Sequence, residues 1–304
     1  MLVTGGSGFI GSHVVDKLLE RGATPRIFDV VPSSPHEHVD TYLGDVSDPG
    51  ALAAAMVGCD AVIHLAAVAD VDQVLLDPPF AEAVNARGTL HVLEAARETG
   101  VERLVYASTI WVYDGCPDEL VDETSRLGLP THLYTATKLA GEMYCSSYGE
   151  LFGIEHTILR FGIPYGPRAR PAAVVPRFVR QALAGEPLTI AGRGEQSRRF
   201  VYVEDLAEGV VAALDQAAAG RIYNLVGRED TSVLEIARAV RDLVSDADIV
   251  HTEARAGDFR GAQVSGRRAL DELGWSPRTE LADGLRAYLS WYRATHPSAD
   301  RLRG

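Results

Sequence analysis

The segment TGGSGFIG, residues 4–11, constrains the fold of this chain more than any other stretch. It places Gly5, Gly8 and Gly11 three residues apart, after the apolar run MLVT and before the amphipathic segment GSHVVDKLLERG. Glycines allow a tight turn and let a pyrophosphate approach a helix N-terminus, where unpaired N–H groups and the helix dipole favour an anion. This combination of strand, glycine loop and helix predicts a dinucleotide-binding site.

Asp29 ends the next apolar run, PRIFDV, at the distance expected for a residue that contacts the adenine-side ribose. Its carboxylate can accept hydrogen bonds from a ribose 2′-hydroxyl and would repel a 2′-phosphate, which favours NAD over NADP. The alternative is a surface acid that merely ends a strand.

Apolar runs and segments of helical spacing alternate through the first 161 residues. The runs are MLVT, PRIFDV, TYLGDV, AVIHLAA, ERLVYAS and IEHTILRF. Such alternation predicts an α/β fold, a Rossmann-type doubly wound parallel sheet. The Gly-, Pro- and Arg-rich stretch GIPYGPRARPAAVVP then predicts a boundary near residue 165. We expect an NAD-binding domain over residues 1–165 with a return segment around 198–226, and a smaller, mainly substrate-binding α/β lobe over 166–304, with a helix from about Arg177 to Gly185.

The net charge is −13, from 29 basic and 42 acidic residues, which disfavours nucleic acid or an anionic membrane surface as a partner. The three cysteines, Cys59, Cys116 and Cys145, have no paired or metal-like spacing, which indicates a reducing compartment and no metal site. No apolar run reaches membrane-spanning length, and no secretion signal opens the chain. We therefore expect a cytoplasmic enzyme.

The segment YTATK places Tyr134 and Lys138 four residues apart, on one face of a helix. A tyrosine, with a pKa of about 10, is a poor base at neutral pH unless a neighbouring ammonium and a cationic nicotinamide stabilise its phenolate. Thr109 or Ser108, at the C-terminal end of a predicted strand, could hold a substrate hydroxyl or carbonyl, because open α/β sheets bind ligands at that edge. We interpret these residues as catalytic rather than as a solvated lysine beside a half-buried tyrosine.

An ordered series of motifs resembles the extended short-chain dehydrogenase/reductases, specifically the NAD-dependent nucleotide-sugar epimerase and dehydratase family, with a UDP-glucose/UDP-galactose 4-epimerase-like pattern. The match covers nearly the whole chain. The motifs are TGGSGFIGSH, FD at Asp29, GDVSD, HLAA, VNARGT, STIWVY, YTATK, LRFGIPYGP, RRFVYVEDLAEG, RAGD and LGWSP.

The resemblance implies a role for each matching residue. Thr109, Tyr134 and Lys138 would form the catalytic triad, and Lys138 would also bond the nicotinamide ribose. Arg198 would grip the substrate diphosphate, and Arg255 and Asp258 would reach the nucleotide phosphate and ribose. The residues expected to contact the cofactor are Gly5, Gly8, Phe9, Ile10, Gly11, Asp29, Asp45, Val46, Leu65, Ala66, Ala67, Asn85, Tyr134 and Lys138.

The two residues after Thr109 decide the expected reaction. In the 4,6-dehydratases of this family these positions carry Asp-Glu, which perform the elimination, whereas this chain has Ile110 and Trp111. Elimination is therefore disfavoured, and we expect an epimerase that oxidises a sugar to a ketone and returns the hydride to its other face. Ile163 and Ala191 replace the Asn and the aromatic residue that are usual in UDP-hexose binders, so the nucleobase and the sugar stay open.

Two other functions are compatible with the same motifs. A reductase of a ketosugar would use the same triad but consume reduced cofactor, and a non-catalytic NAD-sensing regulator would use the same fold. The intact triad argues against the regulator. The resemblance also implies a homodimer through a four-helix bundle, formed by the helix that carries Lys138 and the helix after Asn85.

Overall fold

The computed structural model describes residues 1–244, 246–253 and 263–297. Its strands are β1 (Leu2–Thr4), β2 (Arg26–Asp29), β3 (Thr41–Leu43), β4 (Ala61–His64), β5 (Arg103–Thr109), β6 (Leu120–Val121), β7 (Glu155–Phe161), β8 (Ile163–Tyr165), β9 (Leu188–Ala191), β10 (Ser197–Tyr202), β11 (Arg221–Leu225), β12 (Asp230–Ser232), β13 (Ile249–Thr252) and β14 (Gln263–Val264). Seven of these strands form one parallel sheet in the order β11-β7-β5-β4-β1-β2-β3. This order confirms the predicted Rossmann-type fold.

Helices cover both faces of this sheet. The helices of the described residues are α1 (Phe9–Glu20), α2 (Pro49–Met56), α3 (Val71–Leu76), α4 (Pro78–Glu82), α5 (Gly88–Thr99), α6 (Leu133–Phe152), α7 (Val174–Ala184), α8 (Val203–Ala212), α9 (Val233–Val244), α10 (Arg267–Leu273) and α11 (Leu281–Thr295). One face packs against α1 and α8, and the other packs against α2, α5 and α6. Because both faces are covered, β4 and β5 are buried along their whole length, which explains their continuous apolar runs.

Glycines end several of these helices in the left-handed backbone conformation. Gly22 has a φ of +72° two residues after α1, as its position in the sequence predicts. Gly100 and Gly153 follow α5 and α6 in the same conformation.

The strands outside the main sheet form smaller sheets. Strand β10 pairs with β8 in parallel and with β12 in antiparallel orientation, β9 pairs with β13, and β6 pairs with β14. Helices α7, α9 and α11 pack around a separate apolar cluster that includes Phe178, Ile190 and Tyr288. Helix α7 begins three residues before the predicted start at Arg177 and ends at Ala184. The division into two domains at residue 165 stays a prediction.

The topology creates a crevice at the C-terminal edge of the main sheet. The chain runs outward from β1 to β2 and β3, and then returns to place β4 on the other side of β1. Loops that leave β1 and β4 therefore diverge, and ligands of open α/β sheets bind at such a reversal. Many of the predicted site residues lie on these loops, at the C-terminal end of β5 or in the first two turns of α6.

Among the described residues, no helix combines the length and the apolar composition needed to cross a bilayer.

Candidate active site

The glycine loop between β1 and α1 is packed too tightly for side chains. Gly5 has a φ of +70°, and a Cβ atom there would lie 2.7 Å from the backbone nitrogen of Ala66. A Cβ atom on Gly11 would overlap the carbonyl oxygen of Gly5. A Cβ atom on Gly8, which is exposed, would lie 3.2 Å from the same oxygen, a tight contact without overlap. The loop therefore folds back on itself and brings bare backbone to the start of α1.

The N-terminus of α1 is free to receive an anion. Its N-cap is Gly8, no side chain caps it, and its first turn, which contains Phe9 and Ile10, has no acidic residue. Unpaired N–H groups and the positive end of the helix dipole are thus available for a phosphate. The predicted dinucleotide cradle fits a pyrophosphate, because no side chain of the loop occupies its place.

Asp29 lies at the end of β2 and supports the same loop. Its Oδ2 accepts a hydrogen bond from the backbone N–H of Ser7 (3.0 Å), and its Oδ1 accepts from that of Val31 (3.3 Å). The carboxylate is only partly buried and keeps lone pairs for a further donor. This geometry fits the ribose 2′-hydroxyl of NAD better than the 2′-phosphate of NADP.

The remaining predicted cofactor residues lie on the loops after β3 and β4. The Asp45 carboxylate stabilises a turn by accepting a hydrogen bond from the backbone N–H of Ser47 (2.8 Å). The next residue, Val46, is buried against Gly88. After β4, the partly buried residues Leu65 and Ala66 approach Gly5, and the partly buried Ala67 follows them. These loops flank the glycine cradle on both sides.

Asn85 joins three parts of the site through its buried side chain. It lies in a π-helical turn, Ala83–Arg87, between α4 and α5. Its Oδ1 accepts from the N–H of Val68 (2.7 Å), and its Nδ2 donates to the carbonyl of Val68 (3.0 Å) and to Thr137 Oγ1 (3.2 Å). The side chain therefore fixes the loop after β4 against helix α6, next to Lys138.

Tyr134 and Lys138 lie one turn apart in α6, beside the end of β5. The Lys138 ammonium is buried, donates to the carbonyl of Ala107 (2.9 Å) and lies 5.1 Å from the Tyr106 ring. Burial lowers the pKa of Lys138 to about 8. Thr109 ends β5 with its Oγ1 accepting from the N–H of Trp111 (3.2 Å).

Tyr134 is half-buried, and its ring meets the edge of the Trp111 ring at a centroid distance of 6.1 Å. Burial raises the pKa of Tyr134 to about 12, and the nearby Arg170 guanidinium offsets part of that rise. The lowered pKa expected from the sequence is therefore not produced by the protein's own groups. A cation bound beside the phenol would lower it.

Ser108 lies in a different environment from Thr109, because successive residues of a strand point to opposite faces. Its hydroxyl donates to Glu142, which forms a buried ion pair with Arg160 (2.7 Å). Arg160 also donates to the Tyr113 hydroxyl (2.8 Å), which in turn donates to Asn224 Oδ1 (2.9 Å). The structure therefore places Ser108 in a buried polar network rather than beside Tyr134.

Arg198, the predicted diphosphate ligand, lies outside the main sheet. Arg198 is on β10, opposite Thr231 of β12, and one of its guanidinium nitrogens donates to the carbonyl of Ser197 (2.8 Å). Arg255 and Asp258 lie outside the described residues. The sequence analysis assigns no role to Glu142, Arg160 or Arg170, since each acquires its partners only through folding.

No group of three or more His, Cys, Asp or Glu side chains within the described ranges is placed to hold a metal ion. The absence of a metal stays a prediction.

The chain is similar to curated enzymes over almost its full length. It is 35% identical to the uncharacterized UDP-glucose epimerase YtcB of Bacillus subtilis, covering 95% of this chain and 98% of that protein. It is 32% identical to the UDP-glucose 4-epimerase of Mycolicibacterium smegmatis, covering 96% and 98%. The dTDP-glucose 4,6-dehydratase of Streptomyces griseus is also 32% identical, covering 96% and 93%. The relatives thus include more than one reaction.

Solved structures show the same fold with ligands bound. The UDP-glucose 4-epimerase of Thermotoga maritima with UDP-glucose superimposes with a TM-score of 0.92 at 30% identity, covering 97% of this chain and 98% of that one. MoeE5 in complex with UDP-glucuronic acid and NAD gives a TM-score of 0.89 at 31% identity, covering 97% and 99%.

The model of the NAD dependent epimerase/dehydratase family matches residues 1–226, about three quarters of the chain. Together with the NAD-bound relative, this match confirms the predicted cofactor. The glycine cradle, Asp29 and the Tyr134–Lys138 pair fall within the matched residues. The chain belongs to the NAD-dependent epimerase/dehydratase family.

Proposed function

We propose that the protein is an NAD-dependent epimerase of a nucleotide sugar, specifically a UDP-hexose 4-epimerase. The observation that carries this choice within the family is the pair Ile110 and Trp111. Ile110 is 4% exposed and packs in an apolar cluster, and Trp111 packs on Tyr134. Neither side chain can donate or remove a proton during elimination, so the site supports oxidation and reduction without loss of water.

The proposed reaction uses Tyr134 as the base. As the phenolate, Tyr134 would remove the proton from the sugar hydroxyl while the hydrogen on the same carbon leaves as hydride, and the Thr109 hydroxyl would hold that oxygen in place. When bound, NAD would supply the hydride acceptor and, after the ketosugar has turned, the hydride donor. Lys138, held by the carbonyl of Ala107, places a positive charge one helical turn from Tyr134.

The nucleotide would be held away from the triad. Arg198 can offer a charge-assisted donor to the diphosphate. Arg255 and Asp258 remain predicted ligands of the nucleotide. The similarity to an epimerase that is solved with UDP-glucose supports a uridine nucleotide.

A hexuronate is a second candidate substrate, and one observation favours it. Arg170 forms an exposed ion pair with Asp70, and its charge acts on Tyr134. A guanidinium so close to the reacting position could bind the carboxylate of a uronic acid. The similarity to MoeE5, which is solved with UDP-glucuronic acid and with UDP-glucose, agrees with either sugar.

The test is to incubate the purified protein, without added reductant, with UDP-, dTDP-, GDP- and CDP-linked hexoses and uronates, and to resolve the products by proton NMR. We expect a new epimer at equilibrium and no net change in NADH absorbance. Conversion only when NADH is supplied would replace the epimerase by a ketosugar reductase. Binding of NAD without any conversion would favour the regulator.

We also propose that the protein is a homodimer through α5 and α6. Helix α6 exposes Met143 (59%), Leu151 (71%) and Phe152 (50%), and a second copy would cover these side chains. Light scattering at micromolar concentration should give twice the chain's mass of 32.7 kDa. A monomer at that concentration would contradict the dimer.

A further inference from the structure

Four buried residues form a hydrogen-bonded row, through three side chains and the backbone carbonyl of Asn85, that the proposed reaction does not use. They are Thr4 at the end of β1, His64 at the end of β4, Thr89 in the first turn of α5, and Asn85 in the π-helical turn before it. Each is at most 1% exposed. Buried polar groups of this kind need a hydrogen-bond partner for each donor, so their proton positions can be worked out.

The direction of the row follows from its two ends. At one end, Thr89 Oγ1 donates its single proton to the backbone carbonyl of Asn85 (2.6 Å), because a carbonyl can only accept. The contact of 3.1 Å between Thr89 Oγ1 and His64 Nε2 must then have Nε2 as the donor. The proton of a neutral His64 therefore lies on Nε2.

The other end agrees with this tautomer. The backbone N–H of Ala66 donates to Thr4 Oγ1 (3.3 Å), so the Thr4 hydroxyl proton is free to point elsewhere. Thr4 Oγ1 lies 2.7 Å from His64 Nδ1, which carries no proton in this tautomer and accepts that hydroxyl. From the N–H of Ala66 to the carbonyl of Asn85, each donor therefore has an acceptor and the hydrogen bonds run in one direction.

A second proton on His64 would break this arrangement. With Nδ1 protonated, both Nδ1 and Ala66 would donate to Thr4 Oγ1, and the Thr4 hydroxyl would lose its acceptor in a site without water access. Burial, with a smaller contribution from the Lys138 ammonium, lowers the pKa of His64 to about 3. The Tyr106 ring, 5.8 Å away, offers no negative charge to offset this effect.

We propose that His64, as the neutral tautomer protonated on Nε2, is a positioning residue that fixes the two backbone segments lining the NAD site. One segment is Leu65–Ala67, which Thr4 holds at Ala66. The other is the turn of Asn85, whose side chain binds Val68 and Thr137. The inference rests on the proposed placement of NAD against Ala66 and Asn85.

The first test is spectroscopic and uses the unmodified chain without cofactor. With ¹⁵N-labelled histidine, His64, assigned by its loss in His64→Gln, should show a bare Nδ1 and a protonated Nε2. These signals should not change between about pH 8 and pH 5, whereas an ordinary histidine titrates near pH 6.5. A proton on Nδ1, or titration in that range, would overturn the proposal.

The second test compares two threonines of α5. Thr89 Oγ1 and Thr99 Oγ1 each donate to the carbonyl four residues earlier, at 2.6 and 2.7 Å, but only Thr89 contacts His64. Thr89→Val should weaken NAD binding about tenfold by calorimetry, the cost of about one buried hydrogen bond. Thr99→Val should stay within about twofold of the unmodified chain, and Thr89→Ser should restore the affinity.

Equal NAD affinities for Thr89→Val and Thr99→Val would overturn the positioning role. If Thr89→Val does not fold, Thr89→Ser and the histidine spectra still decide the matter. Neither measurement contains a sugar. A failure of the epimerase assay would therefore leave these results standing, and a failure here would leave the epimerase proposal intact.

Discussion

The cofactor side and the sugar side of the candidate active site are built differently. On the cofactor side, the buried neutral groups of Thr4, His64 and Asn85 all pair with one another or with backbone. On the sugar side, an exposed ion pair joins Arg170 to Asp70, and the buried indole N–H of Trp111 has no hydrogen-bond partner among the described residues. The bare chain is thus preorganised for NAD but leaves polar groups for the sugar to engage.

This difference suits the proposed reaction. The cofactor must stay fixed through oxidation and reduction, because hydride transfer requires the reacting atoms to be held close together. The ketosugar must turn over between the two steps, so its surroundings cannot bind one orientation alone. A rigid cofactor side and a less completely paired sugar side meet both requirements.

The largest expected effect comes from removing a single hydroxyl, which should change turnover but not NAD affinity. Tyr134→Phe should lower kcat at least about 10³-fold, because the proposed base is lost. NAD affinity should stay within about twofold, since the cradle is untouched. Turnover is measured by NMR and NAD binding by calorimetry. Tyr148 lies further along α6, and its hydroxyl donates to Glu94 of α5. Tyr148→Phe is the control and should retain activity. Near-normal turnover of Tyr134→Phe would refute the proposed chemistry.

Acid should destabilise the protein through histidines on the cofactor side. Burial lowers the pKa of His13 to about 4 and that of His64 to about 3, below the value of about 6.5 in an unfolded chain. Below pH 6.5 the unfolded chain binds protons that the folded chain does not. The free energy of unfolding should therefore decrease as the pH is lowered below 6.5, by up to about 1.4 kcal/mol per pH unit for each histidine.

Urea unfolding at about pH 7.5, 6 and 5 measures this slope. His64→Gln should make this slope shallower, because only His13 of the two histidines then contributes to it. A free energy of unfolding that does not change between pH 6.5 and 5 would show that these side chains bind protons in the folded state.

The glycine cradle is tested by adding one methyl group at Gly11. Gly11→Ala would force a Cβ atom into the carbonyl of Gly5, so the loop must shift and NAD affinity should fall about 100-fold. Gly50→Ala, in the first turn of α2, meets only Asp48 Oδ1 at 3.4 Å and serves as the matched control. Calorimetric titration with NAD compares the two. Equal affinities would mean that the pyrophosphate does not lie against this loop.

The parts of the molecule that local patterns encode were predictable from sequence. Alternating apolar runs predicted six strands of the main sheet, and the glycine spacing predicted the loop before α1. The motif of Tyr134 and Lys138 predicted their common helix face. These features depend on residues that are close together in the chain.

The features that the sequence did not predict depend on distant partners. The Ser108 hydroxyl reaches Glu142, 34 residues later, and Arg170 reaches Asp70, 100 residues earlier. The direction of the Tyr134 pKa shift depends on burial by the complete fold. No spacing rule encodes such pairs, because they form only when strands and loops meet in space.

On the sugar side, Arg170→Ala should distinguish the two candidate substrates. If UDP-glucuronate binds through Arg170, its KM should rise about tenfold, the value of one charge-assisted hydrogen bond. The KM for UDP-glucose should change less than about twofold. Arg193→Ala, which removes an 84% exposed side chain paired with Glu195, is the control. Equal changes for both sugars would exclude a carboxylate-specific role.

The smallest expected effect compares two tryptophans. Trp275 Nε1 donates to the carbonyl of Asp205 (2.8 Å), whereas Trp111 Nε1 is buried without a partner in the described part of the chain. Trp275→Phe removes this buried hydrogen bond and part of the packing around it, and should lower the free energy of unfolding by about 1–3 kcal/mol with no change in KM. Trp111→Phe loses no internal hydrogen bond, so its unfolding free energy should change by less than about 1 kcal/mol.

The KM of Trp111→Phe completes the comparison. If the indole N–H is reserved for the sugar, its removal should raise KM about tenfold while NAD affinity is unchanged. Urea unfolding and initial rates measure both quantities on the same preparation. A large loss of stability with normal KM would mean that Trp111 is a packing residue like Trp275, and the sugar side would then be as fully preorganised as the cofactor side.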